Sequence, residues 1–270
     1  MTKYGLALLA ALAALLSVPT LAIAAEPAAA LRYPYIAALS RQTGKDRVYF
    51  CAGALVAPRW VLTAAHCFHG RGGERISVDG LWAAIGRDRL DRDAAETGQV
   101  RIDRLLIHPG YDTASQRDDL ALVRLAEVAG PLIAEPADPR FPEPRGATVL
   151  GFGSYYEGRL AGRALTPTGA PASQLSDQLR RAEARLIDPA RCAGNGVGTP
   201  GDGNLCTTAA PDDACVGDSG SPLVVEAPDG DDRLLGLVSL GTGCAVPQPL
   251  VAYTRVALYA DWIAEAIAAD

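Results

Sequence analysis

The apolar residues of this chain come in short, separated runs, and that pattern decides most of what it can fold into. Ala54–Val56, Trp60–Thr63, Ala121–Leu125, Ala147–Phe152, Leu223–Val225 and Leu234–Leu240 are rich in valine, leucine and isoleucine. Clusters of Gly, Pro, Asp and Asn separate them. Many short strands joined by frequent turns make an all-β sandwich or barrel, because such runs are too brief for helices and suit strands buried on one or both faces. With 270 residues and 49% hydrophobic residues there is enough apolar material for one large domain or two small packed ones. The end of the chain differs. Val256, Tyr259, Trp262, Ile263 and Ile267 recur at three- and four-residue spacing, which predicts an amphipathic helix over about 256–268. Five prolines between Ala129 and Arg145 predict an extended linker over about 131–145, since proline removes a donor and fixes φ. Ser154–Ser176, full of Gly, Pro and Ala, is expected to form a long surface loop.

The beginning reads as an export signal, residues 1–25. Lys3 precedes the apolar run Leu6–Leu16, and small residues stand at Ala22, Ala24 and Ala25, each a candidate cleavage point. Pro19 and the alanine-rich end favour removal over permanent anchoring. Loss of Lys3 leaves 24 basic against 31 acidic residues, a net charge of about −7, which argues against nucleic acid or an anionic membrane as partner. Lysine is rare (Lys3 and Lys45) and arginine abundant, a balance that suits a GC-rich genome and carries no mechanism; a bacterial source is expected. Behind an export signal, six cysteines are expected to form disulfides, with fifteen connectivities open. Zinc is set aside, because no C-x-x-C pair occurs and only His66 lies beside a cysteine.

Three segments carry residues of the type that hydrolyse amides. TAAHC contains His66, RDDLALVRL contains Asp119 ahead of an apolar run, and GDSGSP sets Ser219 between two glycines. Amide hydrolysis needs an activated nucleophile, a base to take its proton and donors for the developing oxyanion. Each segment alone is equally compatible with a scaffold role; in the order His, Asp, Ser they are specific. A lipase or esterase would carry G-x-S-x-G with the serine first, which this chain does not.

Together with HPGY at His108–Tyr111, VSLGTGC at Val238–Cys244 and YTRV at Tyr253–Val256, these segments resemble the signatures of trypsin/chymotrypsin serine proteases. The likeness runs from about Tyr33 to the end of the chain. It implies an all-β fold of two packed six-stranded antiparallel barrels with a C-terminal α-helix. The peptidase domain would span 33–270, with the first barrel at about 33–130 and the second at about 146–255. The implied disulfides are Cys51–Cys67, Cys192–Cys206 and Cys215–Cys244. The implied roles are His66 as base, Asp119 as its orienting partner (Asp118 being the neighbouring rival) and Ser219 as nucleophile. Backbone N–H groups of Gly217 and Ser219 would form the oxyanion hole. Ser239 would bond to Asp119, and Ser239–Gly241 would pair with the substrate backbone. Asp213 would sit at the base of the primary pocket and select Arg or Lys, with Gly241 and Gly243 keeping its mouth open.

Two departures stand out. No glycine occurs between Ala245 and Ala252, and Val251 falls where trypsin-like members carry a wall glycine, so the pocket is expected to be shorter. No Ile-Val-Gly-Gly start precedes Tyr33. Cleavage after Ala22 would expose Ile23, whose ammonium would reach Asp218 and order the oxyanion loop. Cleavage after Ala24 or Ala25 would instead leave Asp218 needing another partner, or the loop disordered and activity low. Arg87 follows Gly86 where some relatives open a calcium loop with glutamate, so no calcium or other metal is expected. No cofactor is expected either. The expected partners are protein or peptide substrates and protein inhibitors, with a monomeric enzyme outside the cell or in the periplasm. A protease-fold binding protein of weak or no activity is the competing reading, and His69 and His108 are read as surface or packing residues.

Overall fold

The computed structural model describes residues 26–27, 32–70, 72–90, 98–130, 134–152, 154–155, 174–175, 178–193, 195, 197, 203–208, 219–242 and 250–270. The expected leader and most of the Ser154–Ser176 loop lie outside the described residues.

Six strands, β1 (Ile36–Thr43), β2 (Asp46–Ala57), β3 (Trp60–Thr63), β4 (Leu81–Ile85), β5 (Gln99–Ile107) and β6 (Ala121–Leu125), close into a barrel in the order β1-β2-β3-β6-β5-β4. Six more, β7 (Gly146–Gly151), β8 (Arg180–Ile187), β9 (Asn204–Thr208), β10 (Pro222–Val225), β11 (Arg233–Gly241) and β12 (Leu250–Arg255), form a second ring. Its order is β7-β8-β9-β12-β11-β10, closed by the pairing of β10 with β7. The second ring repeats the first strand for strand, although no sequence repeat is evident. Closure explains why short strands suffice: within a ring each strand has a neighbour on both sides along most of its length.

Leu39, Leu55, Leu62, Leu81, Ile102 and Leu122 are fully buried in the first barrel's core. Burying each such side chain stabilises by about 1.5–3 kcal/mol. The second barrel is filled by Val149, Ala182, Ala184, Leu205, Leu223, Val251 and the large ring of Tyr253. Leu150, Phe152, Leu179, Val224, Leu234 and Leu237 join the first barrel's apolar cluster, so the two barrels share a core along their contact.

Each terminal segment crosses to the opposite barrel. Ahead of β1, the pair Glu26–Pro27 bonds antiparallel to Arg180–Arg181 of β8. Arg32 and Tyr35 then reach the hairpin between β10 and β11. Arg32 Nη1 and Nη2 donate to the two carboxylate oxygens of Asp232 at 2.8 Å each, and the Tyr35 hydroxyl donates to the same group at 2.5 Å. At the other end a 3-10 turn, Val256–Tyr259, leads into the helix Ala260–Ala268. Val256, Tyr259 and Ile263 bury the apolar stripe in the cluster of the first barrel, with Trp262 and Ile267 beside them.

The proline-rich stretch departs from a plain linker. Glu135–Pro136 pairs in parallel with Arg233–Leu234 of β11. Pro136 has no N–H, so the bonds come from its neighbours: Glu135 N–H donates to the Asp232 carbonyl at 3.3 Å and Ala137 N–H to that of Leu234 at 2.9 Å. Ala134 N–H donates to the carbonyl of Leu55 at 2.9 Å, so the connection is fastened to both barrels.

Candidate active site

His66 stands on a single 3-10 turn, Ala65–Phe68, directly after β3. Two features hold the turn. Ala65 and Phe68 are buried, and Cys67 is joined to Cys51 of β2 by a disulfide. The second described disulfide, Cys192–Cys206, links a one-turn helix to β9. Cys215 and Cys244 lie outside the described residues. Cys51, His66 and Cys67 cluster closely enough to suggest a metal site. The two sulfurs are bonded to each other, however, and offer no thiolate.

Asp119 opens the run into β6 and is fully buried. Three donors converge on its carboxylate. The His66 main-chain N–H donates to Oδ1 at 2.8 Å, and His66 Nδ1 lies 2.7 Å from Oδ2. The Ser239 hydroxyl donates to Oδ2 at 2.5 Å. Because a carboxylate only accepts, this pattern puts the neutral ring's proton on Nδ1 and leaves Nε2 as the basic nitrogen. Burial pushes the Asp119 carboxyl up. The His66 charge and the bonds from His66 and Ser239 outweigh it and hold the group below the ordinary carboxylate value. Asp118, the neighbouring rival, does not face His66; its Oδ1 accepts the Tyr259 hydroxyl at 2.7 Å.

Ser239 reaches Asp119 through an irregularity. The β11–β12 register shifts between Val238 and Leu240, so two residues of β11 oppose one step of β12 and Ser239 is the extra one. Such a bulge re-aims a side chain beside a functional centre. Thr254 of β12 adds a bond to the main chain, its Oγ1 donating to the Asp119 carbonyl at 2.8 Å.

Ser219 begins the turn before β10. Its carbonyl accepts from Ala52 N–H at 2.8 Å, and Ala52 neighbours the cysteine that anchors the His66 turn. Gly220 follows with φ +76, and a Cβ there would lie 2.3 Å from the Ala52 carbonyl oxygen and 2.4 Å from Thr63 Oγ1. Only glycine permits this approach of the serine turn to the first barrel. The structure thus brings together His66, Asp119 and Ser239, and bonds the Ser219 main chain to the residue after Cys51. Gly241 ends β11 opposite Val251, whose side chain belongs to the second barrel's core. Asp213, Gly217, Asp218 and Gly243 lie outside the described residues. His69 and His108 are packing residues, the first against the Tyr111 ring and the second edge-on to Tyr259 and Trp262.

Sequence reasoning gave Thr254, Tyr259 and Asp232 no role at the site, reading Tyr259 only as part of the helix's apolar stripe. Thr254 lies within the YTRV signature, and a buried tyrosine such as Tyr35 signals a partner for its hydroxyl. Nothing in the sequence separates Asp232 from its exposed neighbours Asp229 and Asp231.

A family model described as Trypsin matches residues 22–263. Coagulation factor XII of Sus scrofa is 36% identical over 254 residues, covering 86% of this chain and 37% of that protein. Serine protease 56 of Homo sapiens is 34% identical over 232 residues, covering 82% of this chain and 35% of the relative. Transmembrane protease serine 5 of Homo sapiens is 33% identical over 224 residues, covering 79% and 45% respectively. The chain thus spans less than half the length of these relatives. They are mammalian proteins and lend no support to a bacterial source or a periplasmic location. Among the described residues no helix is long and apolar enough to cross a membrane.

Proposed function

The chain belongs to the trypsin family of serine proteases, and we propose that it cuts peptide bonds with His66, Asp119 and Ser219 as its triad. The observation that carries this reading is the buried carboxylate of Asp119, bonded at 2.7 Å to one imidazole nitrogen while the other is left basic. In the Ser-His-Asp scheme Ser219 Oγ attacks the scissile carbonyl as His66 Nε2 takes its proton. The tetrahedral oxyanion is met by the N–H groups of Gly217 and Ser219. His66 then protonates the leaving amine, and water repeats the sequence to release the acyl group. Asp119 stabilises the imidazolium, and Ser239–Gly241 aligns the substrate backbone as a short antiparallel strand. Asp218 orders the oxyanion loop.

Asp213 at the base of the primary pocket favours Arg or Lys before the cut, and Val251 limits the pocket's depth. The enzyme acts after export on protein or peptide substrates, as a monomer open to protein inhibitors, and takes no metal or cofactor.

A peptide panel varying only the residue before the cut tests both levels. The chain is expected to hydrolyse Arg and Lys peptides at least about tenfold faster than apolar ones, with Ser219→Ala inactive on all. Indifference to Arg and Lys removes the assignment of Asp213; equal hydrolysis by Ser219→Ala removes the triad.

A further inference from the structure

We propose that Tyr259 is a positioning residue for the reaction: its hydroxyl holds Asp118 in the left-handed backbone conformation that sets Asp119 against His66. The inference rests on the triad reading above.

Asp118 has φ +53, and Gln116 in the same loop, at φ +57, is the other non-glycine residue with positive φ among the described residues. That region is unfavourable for any residue with a Cβ, and aspartate and asparagine tolerate it best. Something must therefore favour it here. The turn is closed around Asp119 itself, since Leu120 N–H donates to the Asp118 carbonyl at 2.8 Å. A change in the Asp118 backbone would swing the direction in which the Asp119 side chain leaves the chain.

The Asp118 carboxylate is held by Tyr259 and has its room from a glycine. Oδ1 accepts the Tyr259 hydroxyl at 2.7 Å, and Oδ2 occupies the space that a side chain at Gly110 would need, 2.5 Å from an added Cβ. The neighbouring cation is a weak tether: Arg117 Nε lies 3.7 Å away on a mostly exposed side chain. Tyr259 is itself fixed, buried at 7% exposure with its ring centroid 5.0 Å from that of His108. Burial, and then its bond to Asp118, push its phenol well above the ordinary tyrosine value, so it remains a donor at working pH.

The origin of the three holding groups completes the case. Ser239, Thr254 and Tyr259 all come from β11, β12 and the turn that follows, whereas Asp118 and Asp119 belong to the first barrel. Ser239 and Thr254 touch Asp119 directly. Tyr259 acts through its neighbour, and the packing of the two barrels thereby sets the geometry of the carboxylate.

The test compares Tyr259→Phe, Asp118→Ala, Asp118→Asn and the Tyr259→Phe/Asp118→Ala pair in the full chain. It measures kcat and KM on the best peptide and the far-downfield proton resonance of His66 Nδ1–H. Tyr259→Phe is expected to lower kcat about 5- to 10-fold with KM within about twofold, and to shift or broaden that resonance. Asp118→Ala behaves alike, the pair is no worse than Asp118→Ala alone, and Asp118→Asn keeps at least about half of kcat. A Tyr259→Phe protein with kcat within twofold of wild type and an unchanged resonance overturns the proposal, even if its thermal midpoint falls. If Tyr259→Phe does not fold, equal kcat for the alanine and asparagine variants at 118 overturns it. A wild-type chain that cleaves nothing defeats the triad reading instead, so the two failures are distinguishable.

Discussion

Asp119→Asn is expected to lower kcat by about 10⁴ at neutral pH, the magnitude characteristic of losing the carboxylate in the Ser-His-Asp scheme generally. The physical reason is visible in the donor count. The carboxylate accepts from His66 N, His66 Nδ1 and Ser239 Oγ. An amide has one acceptor oxygen, so its NH₂ must face at least one of these donors. The response open to His66 is to move its proton to Nε2, which then has no lone pair for the serine proton. The sign of the accompanying pH effect is fixed. The folded Asp119 carboxyl lies below its ordinary value despite burial, through the His66 charge and the bonds from His66 and Ser239. Its ionisation therefore contributes stability above about pH 4, the unfolded value, and that contribution is lost as pH falls through the folded one. Urea unfolding at stepped pH should show wild type losing stability in acid more steeply than Asp119→Asn. A variant within tenfold of wild-type kcat, or parallel acid profiles, would contradict this.

Asp232→Ala should destabilise the fold by about 2–4 kcal/mol, less than for a fully buried ion pair because the Arg32 side chain is 32% exposed. Asp232 is fully buried. Its carboxylate takes both Arg32 bonds and the Tyr35 hydroxyl, and its Oδ1 also accepts Ala227 N–H at 2.9 Å. Truncation leaves the Tyr35 phenol and the Ala227 N–H without their acceptor, leaves Arg32 only the Ala227 carbonyl at 3.4 Å and Glu226 at 3.7 Å, and loosens the segment that leads into β1. For a domain of this size the thermal midpoint should fall by roughly 10 °C. Arg32→Met combined with Asp232→Leu removes both charges and should recover part of the loss. A fall of under about 1 kcal/mol for Asp232→Ala would show that the bonds are formed equally well with water.

Local signals carried the fold class. Short runs such as Ala121–Leu125 lie in barrel strands, and the three-and-four spacing after Val256 marks the terminal helix. What pattern reasoning missed depends on distance along the chain. Asp232 stands in an acidic turn that reads as solvated, and its partners Arg32 and Tyr35 lie 200 and 197 residues away. Ser239 was legible only through resemblance, because the bulge that aims it arises from pairing with β12. The identical strand order of the two barrels left no mark in the residues, since a barrel interior selects for volume and alternation, not identity. Asp119 and Asp118 are indistinguishable by composition; topology turns one toward His66 and the other toward Tyr259.

The most direct test of the central claim is to treat the chain with a fluorophosphonate and map the adduct by mass spectrometry. Near-stoichiometric modification of Ser219 is predicted, with labelling collapsing in His66→Ala. An active preparation that takes no label, or takes it on another residue, would contradict the account.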